Sequence, residues 1–159
     1  KADADRRAGL DPKVQEVIEA GNAYIRKIRE CNDAIPGEVV SEKMSRMELL
    51  TKRIFARVEQ NPEVVTDIRR LMEYYLPTAV KLLEAYEELD AQPVQGGEIL
   101  LSSKKEIEDT LDTLNIAFEK LLDDLFQETA WDVSSDISVL KTMLAQEGLT
   151  KNDFSTGGK

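Results

Sequence analysis

The chain has 159 residues, of which 42% are hydrophobic and 33% charged, and its formal net charge is −10. This length and composition suit one soluble helical domain with a buried core. An acidic surface opposes nucleic acid, which is bound through phosphate neutralisation by Lys and Arg, and it opposes flat docking on an anionic membrane. The chain has no histidine, which excludes Ser-His and Cys-His catalysis and zinc sites built from His and Cys.

The single cysteine, Cys31, excludes an intrachain disulfide. We interpret it as a small side chain near the core of a protein in a reducing compartment, and the expected location is cytoplasmic. No segment approaches the roughly 20 apolar residues that a membrane span needs, so we expect no membrane contact from this segment. The chain begins at Lys1 without an initiator Met, so a longer parent chain, with a membrane anchor upstream of Lys1, stays open.

The first half of the chain predicts two helices behind a flexible leader over residues 1–10. Asp11 is a preferred N-cap and Pro12 a preferred first helical residue, so a first helix is predicted over about 12–33. Its inward-facing Gly21 indicates either the close approach of a neighbour or a tolerated weak position. Pro36-Gly37 ends this helix, and apolar spacing predicts a second over about 38–60.

The third helix is predicted over about 62–91 and has the most regular apolar pattern of the chain. Asn61-Pro62 leaves almost no linker before it, which predicts a tight antiparallel hairpin with the second helix. Pro77 lies in its middle, where it removes one backbone donor and turns its ring toward the Glu73 carbonyl. We predict one continuous helix, kinked within a turn of Pro77, with the proline on the outward side.

Residues 92–97 form the clearest loop, and a fourth helix is predicted over about 98–129. Lys104 occupies one slot of its apolar stripe, so either the packing fades there or the ammonium extends out of the bundle. Its many carboxylates are predicted to form a solvated outward face, and no metal site is expected.

A short fifth helix starts near Asp132, as its predicted N-cap, and ends at Gly148 in the C′ position. Trp131 is interpreted as a core side chain at the end of the bundle, with a ligand-stacking role as the alternative, and residues 150–159 as a flexible tail. These elements predict an all-α fold, an elongated antiparallel up-and-down bundle of four long helices plus the short C-terminal helix. The bundle is predicted as a single domain over residues 11–149.

A candidate site lies on the outward side of the third helix, where Arg70, Tyr74 and Lys81 share one side with Pro77. Two cations and a phenol in the acidic part of the chain could hold an anion or dock a partner. The alternative is ordinary ion pairing along the helix with Glu73, Glu84 and Glu88. No catalytic residue and no cofactor are identified.

Several stretches, in order, resemble signature segments of the bacterial 5-bromo-4-chloroindolyl phosphate hydrolysis (XpaC-like) family. They are RKIRECNDAIPGEVVSEKMSRMELLTKRIF at 26–55, YYLPTAVKLLEAY at 74–86, IAFEKLLDDLF at 116–126 and DVSSDISVLKTMLAQEGL at 132–149. The resemblance covers roughly residues 20–149 and implies hydrolysis of a chromogenic phosphate ester. It also implies that hydrophobic segments often precede this domain, but it supplies no catalytic motif.

The chemistry of the residues favours a different function from the one the family name implies. Phosphate ester hydrolysis needs a nucleophile or activated water, and usually a metal or an Arg clamp. The chain has neither a histidine nor a Cys-x5-Arg loop. The favoured hypothesis is therefore an interaction or scaffold module with a protein partner. The alternatives are a phosphoesterase acting on aryl or indolyl phosphates and a regulatory or small-ligand-binding domain. The oligomeric state also stays open, and a homo-oligomer is one possibility.

Overall fold

The computed structural model describes residues 9–149, and all their regular secondary structure is helical. The helices are α1 (Pro12–Ala34), α2 (Glu38–Gln60), α3 (residues 62–90), α4 (Glu98–Asp124) and α5 (Gln127–Gln146). The predicted all-α class is confirmed. Apart from Gly9 and Leu10, the predicted leader lies outside the described residues, and so does the predicted tail over 150–159.

Two helix ends form as their residue types predict. The Asp11 carboxylate accepts a hydrogen bond of 2.8 Å from the Lys13 amide, with Pro12 as the first residue of α1. Gly148 follows the end of α5 with φ of 72°, a conformation that glycine adopts without steric cost. The amides of Gly148 and Leu149 donate to the carbonyls of Ala145 and Leu144, which is the Schellman pattern that satisfies the last carbonyls of a helix.

Helix α3 changes its helical type twice but has no loop at Pro77. It starts as a 3₁₀ helix over Pro62–Ile68, passes through a π turn over Leu71–Tyr75, and continues as an α-helix over Leu76–Asp90. The Leu76 amide donates to the Leu71 carbonyl, five residues back. This wider turn comes directly before Pro77, where an α-helical proline ring would meet the carbonyl four residues earlier. The kink itself stays a prediction.

Ion pairs fix the direction of α2 relative to α4. Lys43 contacts Asp112 at 2.6 Å, and Arg46 contacts Glu119 at 3.2 Å. Later residues of α2 meet later residues of α4, so these two neighbours run in the same direction. The Asn115 amide also donates to the Lys43 carbonyl at 2.9 Å, which fixes the register of the pair.

The other neighbouring pairs complete a ring of four helices. Arg29 of α1 pairs with Glu48 of α2, and Tyr86 of α3 donates a hydrogen bond to Glu108 of α4. Helices α1 and α2 are antiparallel, and so are α3 and α4. Helix α3 packs mainly on α1 and α4, and only its start, Pro62–Ile68, packs closely on α2. The order around the ring is α1, α2, α4, α3. The predicted arrangement, in which each helix neighbours the next, is therefore not confirmed.

The core lies inside this ring. The largest fully buried side chains come from all four helices and from the residue after α4: Ile18, Ile28, Met44, Met47, Ile54, Ile68, Leu71, Leu76, Leu83, Leu111, Phe118 and Leu125. Leu82 and Leu114, whose exposure would have contradicted the bundle, are partly buried against this core. Cys31 is buried and unpaired, as expected, and its burial raises the pKa of its thiol.

The chain forms two compact units, one ending at Leu125 and the other beginning at Phe126. The predicted boundary between the last two helices is wrong, because α4 ends at Asp124 and α5 begins at Gln127. The turn between them uses right-handed helical backbone angles at Leu125, which any residue adopts, so neither glycine nor proline marks it. Asp132 therefore lies inside α5, not at its cap.

Trp131 is not a core side chain, since 62% of its surface is exposed. It lies in the second turn of α5, on a different side from the apolar stripe that contains Val133 and Ile137. No residue of α5 is buried.

Candidate docking surface on the third helix

The predicted site residues Arg70, Tyr74 and Lys81 are all exposed on α3. Between Arg70 and Lys81 lies the π turn over Leu71–Tyr75. A π turn holds an extra residue, so it offsets the side chains before it from those after it around the helix axis. The α-helical spacing that aligned Lys81 with Arg70 and Tyr74 therefore does not hold across this turn.

Arg70 and Tyr74 line one shallow depression of about 480 Å³ together with Glu73 and Tyr75. Lys81 does not line it. The rings of Tyr74 and Tyr75 meet edge to face, with their centroids 6.1 Å apart and their planes at 86°. The structure thus brings Arg70 and Tyr74 together and adds Tyr75, which the sequence did not identify as a site residue.

The alternative of ion pairing along the helix does not describe Arg70 or Lys81. Glu73 pairs instead with Arg69 at 3.1 Å, and Glu84 pairs with Lys27 of α1 at 3.5 Å. Neither Arg70 nor Lys81 has a carboxylate within ion-pair distance among residues 9–149. Arg70 is therefore a cation available to an external anion.

An open groove of about 370 Å³ adjoins this depression and lies between α3 and α4. Leu71, Phe118 and Leu121 contribute its apolar lining, while Asp67, Arg69 and Arg70 contribute charges. Arg70 and Tyr75 line both recesses. The sequence did not reveal the α4 side of the groove, because apolar spacing does not show that Phe118 and Leu121 lie beside Arg70.

We call the surface formed by Arg70, Tyr74 and Tyr75 the Arg70 surface. An unpaired guanidinium donates charge-assisted, bidentate hydrogen bonds to a carboxylate or a phosphate. The 66% exposed Tyr74 side chain offers a broad amphipathic contact of the kind enriched at protein interfaces. This arrangement can recognise an anionic group with adjoining apolar surface.

A second polar cluster, which the sequence did not reveal, joins the ends of α3 and α4. The Tyr86 hydroxyl donates to the Glu108 carboxylate at 2.8 Å, and burial together with this hydrogen bond raises the pKa of Tyr86. Lys104 pairs with Asp90 at 2.8 Å and lies 5.3 Å from the centre of the Tyr86 ring. Lys104 thus neither marks faded packing nor extends freely out of the bundle. We therefore interpret the cluster as structural, because its side chains bind one another.

Most carboxylates of α4 lie on its outer side, as predicted, whereas Glu108 faces α3 and accepts the hydrogen bond from Tyr86. Asp109, Asp112 and Asp123 are exposed, and the first two pair with Lys105 and Lys43. Across the part of the chain that the structure describes, no group of three or more His, Cys, Asp or Glu side chains is placed to hold a metal ion.

Comparison with known families identifies the chain's relatives. The profile of the family described as 5-bromo-4-chloroindolyl phosphate hydrolysis protein matches residues 7–140. The chain belongs to this family. The match includes α1 to α4 and most of α5, so the Arg70 surface and the polar cluster both lie within the family region. No curated protein matches the chain, and no solved structure matches it.

A search of the described helices finds none with the length and apolar character needed to span a membrane.

Proposed function

We propose that this member of the family is a helical interaction module that binds an anionic segment of a protein partner on the Arg70 surface. The observation that carries the proposal is the unpaired guanidinium of Arg70 beside the exposed ring of Tyr74. Arg and Tyr are enriched at the energetic centres of protein interfaces. The adjoining groove, with Leu71 and Phe118 in its lining, would receive an apolar side chain next to the anionic one.

The unpaired guanidinium of Arg70 favours an anionic ligand at this position, although the surrounding part of the chain is acidic. Residues 61–131 carry 16 Asp and Glu against 6 Lys and Arg, and Arg69 is already paired with Glu73. Arg70 remains unpaired although neighbouring carboxylates could form an ion pair with it. A partner carboxylate or phosphate would supply the missing pair.

Site-specific photo-crosslinking tests the proposal. A photo-reactive amino acid placed at Tyr74 should capture a discrete partner in the native host, and Arg70→Glu should abolish the adduct. Two controls are matched to these changes. The same probe at the exposed Thr113 of α4 should give no adduct, and Arg53→Glu, which reverses an exposed charge on α2, should leave the Tyr74 adduct intact. An adduct that survives Arg70→Glu would contradict the proposal.

The second candidate is a phosphoesterase acting on aryl or indolyl phosphates, favoured by the family description. The groove lined by Asp67, Arg69 and Arg70 is where such a substrate would bind. Purified protein should then turn over an indolyl or nitrophenyl phosphate, with activity lost on chelation or in Arg70→Ala. We expect no turnover with any divalent metal. Metal-dependent turnover that persists through repurification and is lost in Arg70→Ala would show that the protein is an enzyme and would contradict the interaction-module proposal.

A further inference from the structure

Helix α5 carries an apolar stripe, and none of the residues of this stripe is buried. Ala130, Val133, Ile137, Leu140 and Leu144 follow one another at alternating steps of three and four, which keeps them on one side of a helix. Ile137 is 46% exposed and Leu140 55% exposed, and no residue of α5 is buried. An apolar stripe of this kind lowers its free energy by packing against another surface.

The stripe has the positions of a coiled-coil heptad. Ala130, Ile137 and Leu144 take the a positions, and Val133 and Leu140 take the d positions. A β-branched residue at a followed by Leu at d, as in Ile137 and Leu140, favours two-stranded parallel pairs. The stripe fills fewer than the roughly three to four heptads by which coiled coils are recognised, so the pairing would be weak and concentration-dependent.

Two charges at the edges of the stripe select the partner and its direction. Asp136 takes a g position and Lys141 the following e position, five residues later. At 3.6 residues per turn they lie roughly 140° apart, on opposite edges of the stripe, and cannot pair within one helix. Both are exposed, and neither has an ion-pair partner within residues 9–149.

We infer that α5 forms a parallel, in-register pair with α5 of a second copy of this chain. In that arrangement the g edge of one helix faces the e edge of the other, so Asp136 of each copy meets Lys141 of its partner, twice by symmetry. An antiparallel pair brings like edges together, which separates Asp136 from Lys141. The inference uses a different helix from the Arg70 surface, and either can fail without the other.

Sedimentation equilibrium of the full chain, from micromolar to millimolar concentration, tests the inference. The apparent mass should rise from that of the 17.9 kDa monomer toward twice that value. Ile137→Asp should remain monomeric at every concentration while its circular dichroism keeps the bundle's helix content, because Ile137 is not part of the buried core. A wild-type chain that stays monomeric throughout would overturn the inference.

A charge swap tests the direction and register. Asp136→Lys and Lys141→Asp should each weaken association about tenfold, the size expected when two exposed ion pairs become like-charge contacts. The double variant should restore wild-type association, because it exchanges the positions of the acidic and the basic residue and so keeps both ion pairs. Asp132→Lys is the matched control, because it removes the same negative charge at a position away from the stripe and should not weaken the dimer. Failure of the double variant to restore association would overturn the parallel arrangement.

The direction has a second, independent readout. Val133→Cys in a Cys31→Ala background should form an interchain disulfide readily, since a parallel in-register pair brings the two d-position side chains together. The matched variant Ser135→Cys, on the outer side of α5, should crosslink far more slowly. Equal crosslinking at both positions would contradict the in-register pair.

Discussion

At the scale of single residues, Gly21 shows how one missing side chain permits a close helix contact. Gly21 of α1 is buried against Phe55 of α2. A Cβ built at Gly21 would lie 2.5 Å from both the Cε1 and Cε2 atoms of the Phe55 ring and would also clash with its Cζ atom. The structure therefore decides between the two readings of this glycine. It is a position of close approach, and the ring of Phe55 fills the space of the absent side chain.

Gly21→Ala should lower the free energy of unfolding by up to about 2 kcal/mol. Alanine is the better helix former by about 1 kcal/mol, but forcing a methyl group into a packed core costs about 1–3 kcal/mol, and Phe55 is itself nearly fully buried. Urea denaturation measures the change. In a Phe55→Leu background the same substitution should be neutral or stabilising. A Gly21→Ala variant more stable than the wild type would contradict the close contact.

Glu48 is the residue whose surroundings couple stability to pH. Its carboxylate accepts from Arg29 at 2.8 Å and pairs with Lys52 at 2.8 Å, with only 16% of its side chain exposed. The hydrogen bond from Arg29 is the largest cause that lowers the pKa of Glu48, although partial burial opposes it. Because the folded pKa lies below the unfolded one, this stabilisation exists above the unfolded value and is lost as the pH falls through the folded pKa.

Glu48→Gln should therefore reduce stability at pH 7 by about 0.5–1 kcal/mol, the range for a well-formed ion pair near the surface. The difference from wild type should shrink as the pH falls below about 4, the ordinary range of a glutamate in an unfolded chain. Chemical denaturation at several pH values measures it. Glu119→Gln is the control, since the carboxylate of the Arg46 pair is 61% exposed. A deficit that is independent of pH would show that Glu48 acts by packing alone.

At the scale of elements, α3 accommodates a proline in its interior by changing its hydrogen-bond pattern. The π turn over Leu71–Tyr75 ends two residues before Pro77, and π turns are one of the few recognised causes of a helix bend. The same turn places Arg70 and Tyr74 around one depression and leaves Lys81 out of it. Helical type and candidate binding surface are thus linked in this element.

Pro77→Ala should fold normally and lose no more than about 1 kcal/mol of stability, because alanine restores the missing backbone donor. If the proline maintains the shape of the Arg70 surface, this variant should lose the Tyr74 photo-adduct while keeping its melting temperature. Thermal melting and crosslinking, measured on the same preparation, separate the two effects. Unchanged crosslinking would show that the proline is not needed for binding, and a large fall in melting temperature would show that it is a structural requirement.

The polar cluster joining α3 to α4 gives a second test at this scale. Lys104→Met should cost about 1 kcal/mol, because it removes the ion pair to Asp90 and the ammonium beside the Tyr86 ring. Lys105→Met, one residue later, removes only an exposed pair with Asp109 and should cause no measurable change. Equal effects of the two substitutions on chemical denaturation would show that partial burial of Lys104 adds nothing.

At the scale of the whole chain, the excess of acidic residues lies in the second half, and ion pairs connect the two halves. Residues 1–60 carry 12 Lys and Arg against 11 Asp and Glu, whereas residues 61–131 carry 6 against 16. Cations of the first half meet carboxylates of the second at Lys43 with Asp112 and at Lys27 with Glu84. The first half is close to neutral and the second strongly acidic, and these pairs favour the packing of α2 on α4 and of α1 on α3.

The net charge of −10 sets how copies of the chain interact. Repulsion between like-charged copies keeps an acidic protein in solution at neutral pH and vanishes near the isoelectric point. We therefore expect the solubility minimum near pH 4.6, the value given by the composition. Light scattering across a pH series at constant concentration measures it. A minimum near neutral pH would indicate that apolar contact, not charge, limits solubility.

The sequence by itself determined the elements of this protein. Apolar periodicity, the Asp11-Pro12 start and the Gly148 stop depend on local geometry and on hydrogen bonds within a few residues, so they predicted the helices and most of their ends. The family resemblance carried by these segments was confirmed as well. The turn at Leu125 was missed because its backbone angles favour no residue type.

Only the tertiary structure decided which helices are neighbours, since a stripe of apolar residues marks the side of a helix that favours packing but does not identify the surface that covers it, and the stripe of α5 is not buried. The ring order, the contact of Gly21 with Phe55 and the pairing of Lys104 with Asp90 all join residues far apart in sequence or on different helices. The membership of the Arg70 surface also depended on the π turn, because a shift of one residue in hydrogen bonding moves every later side chain around the axis.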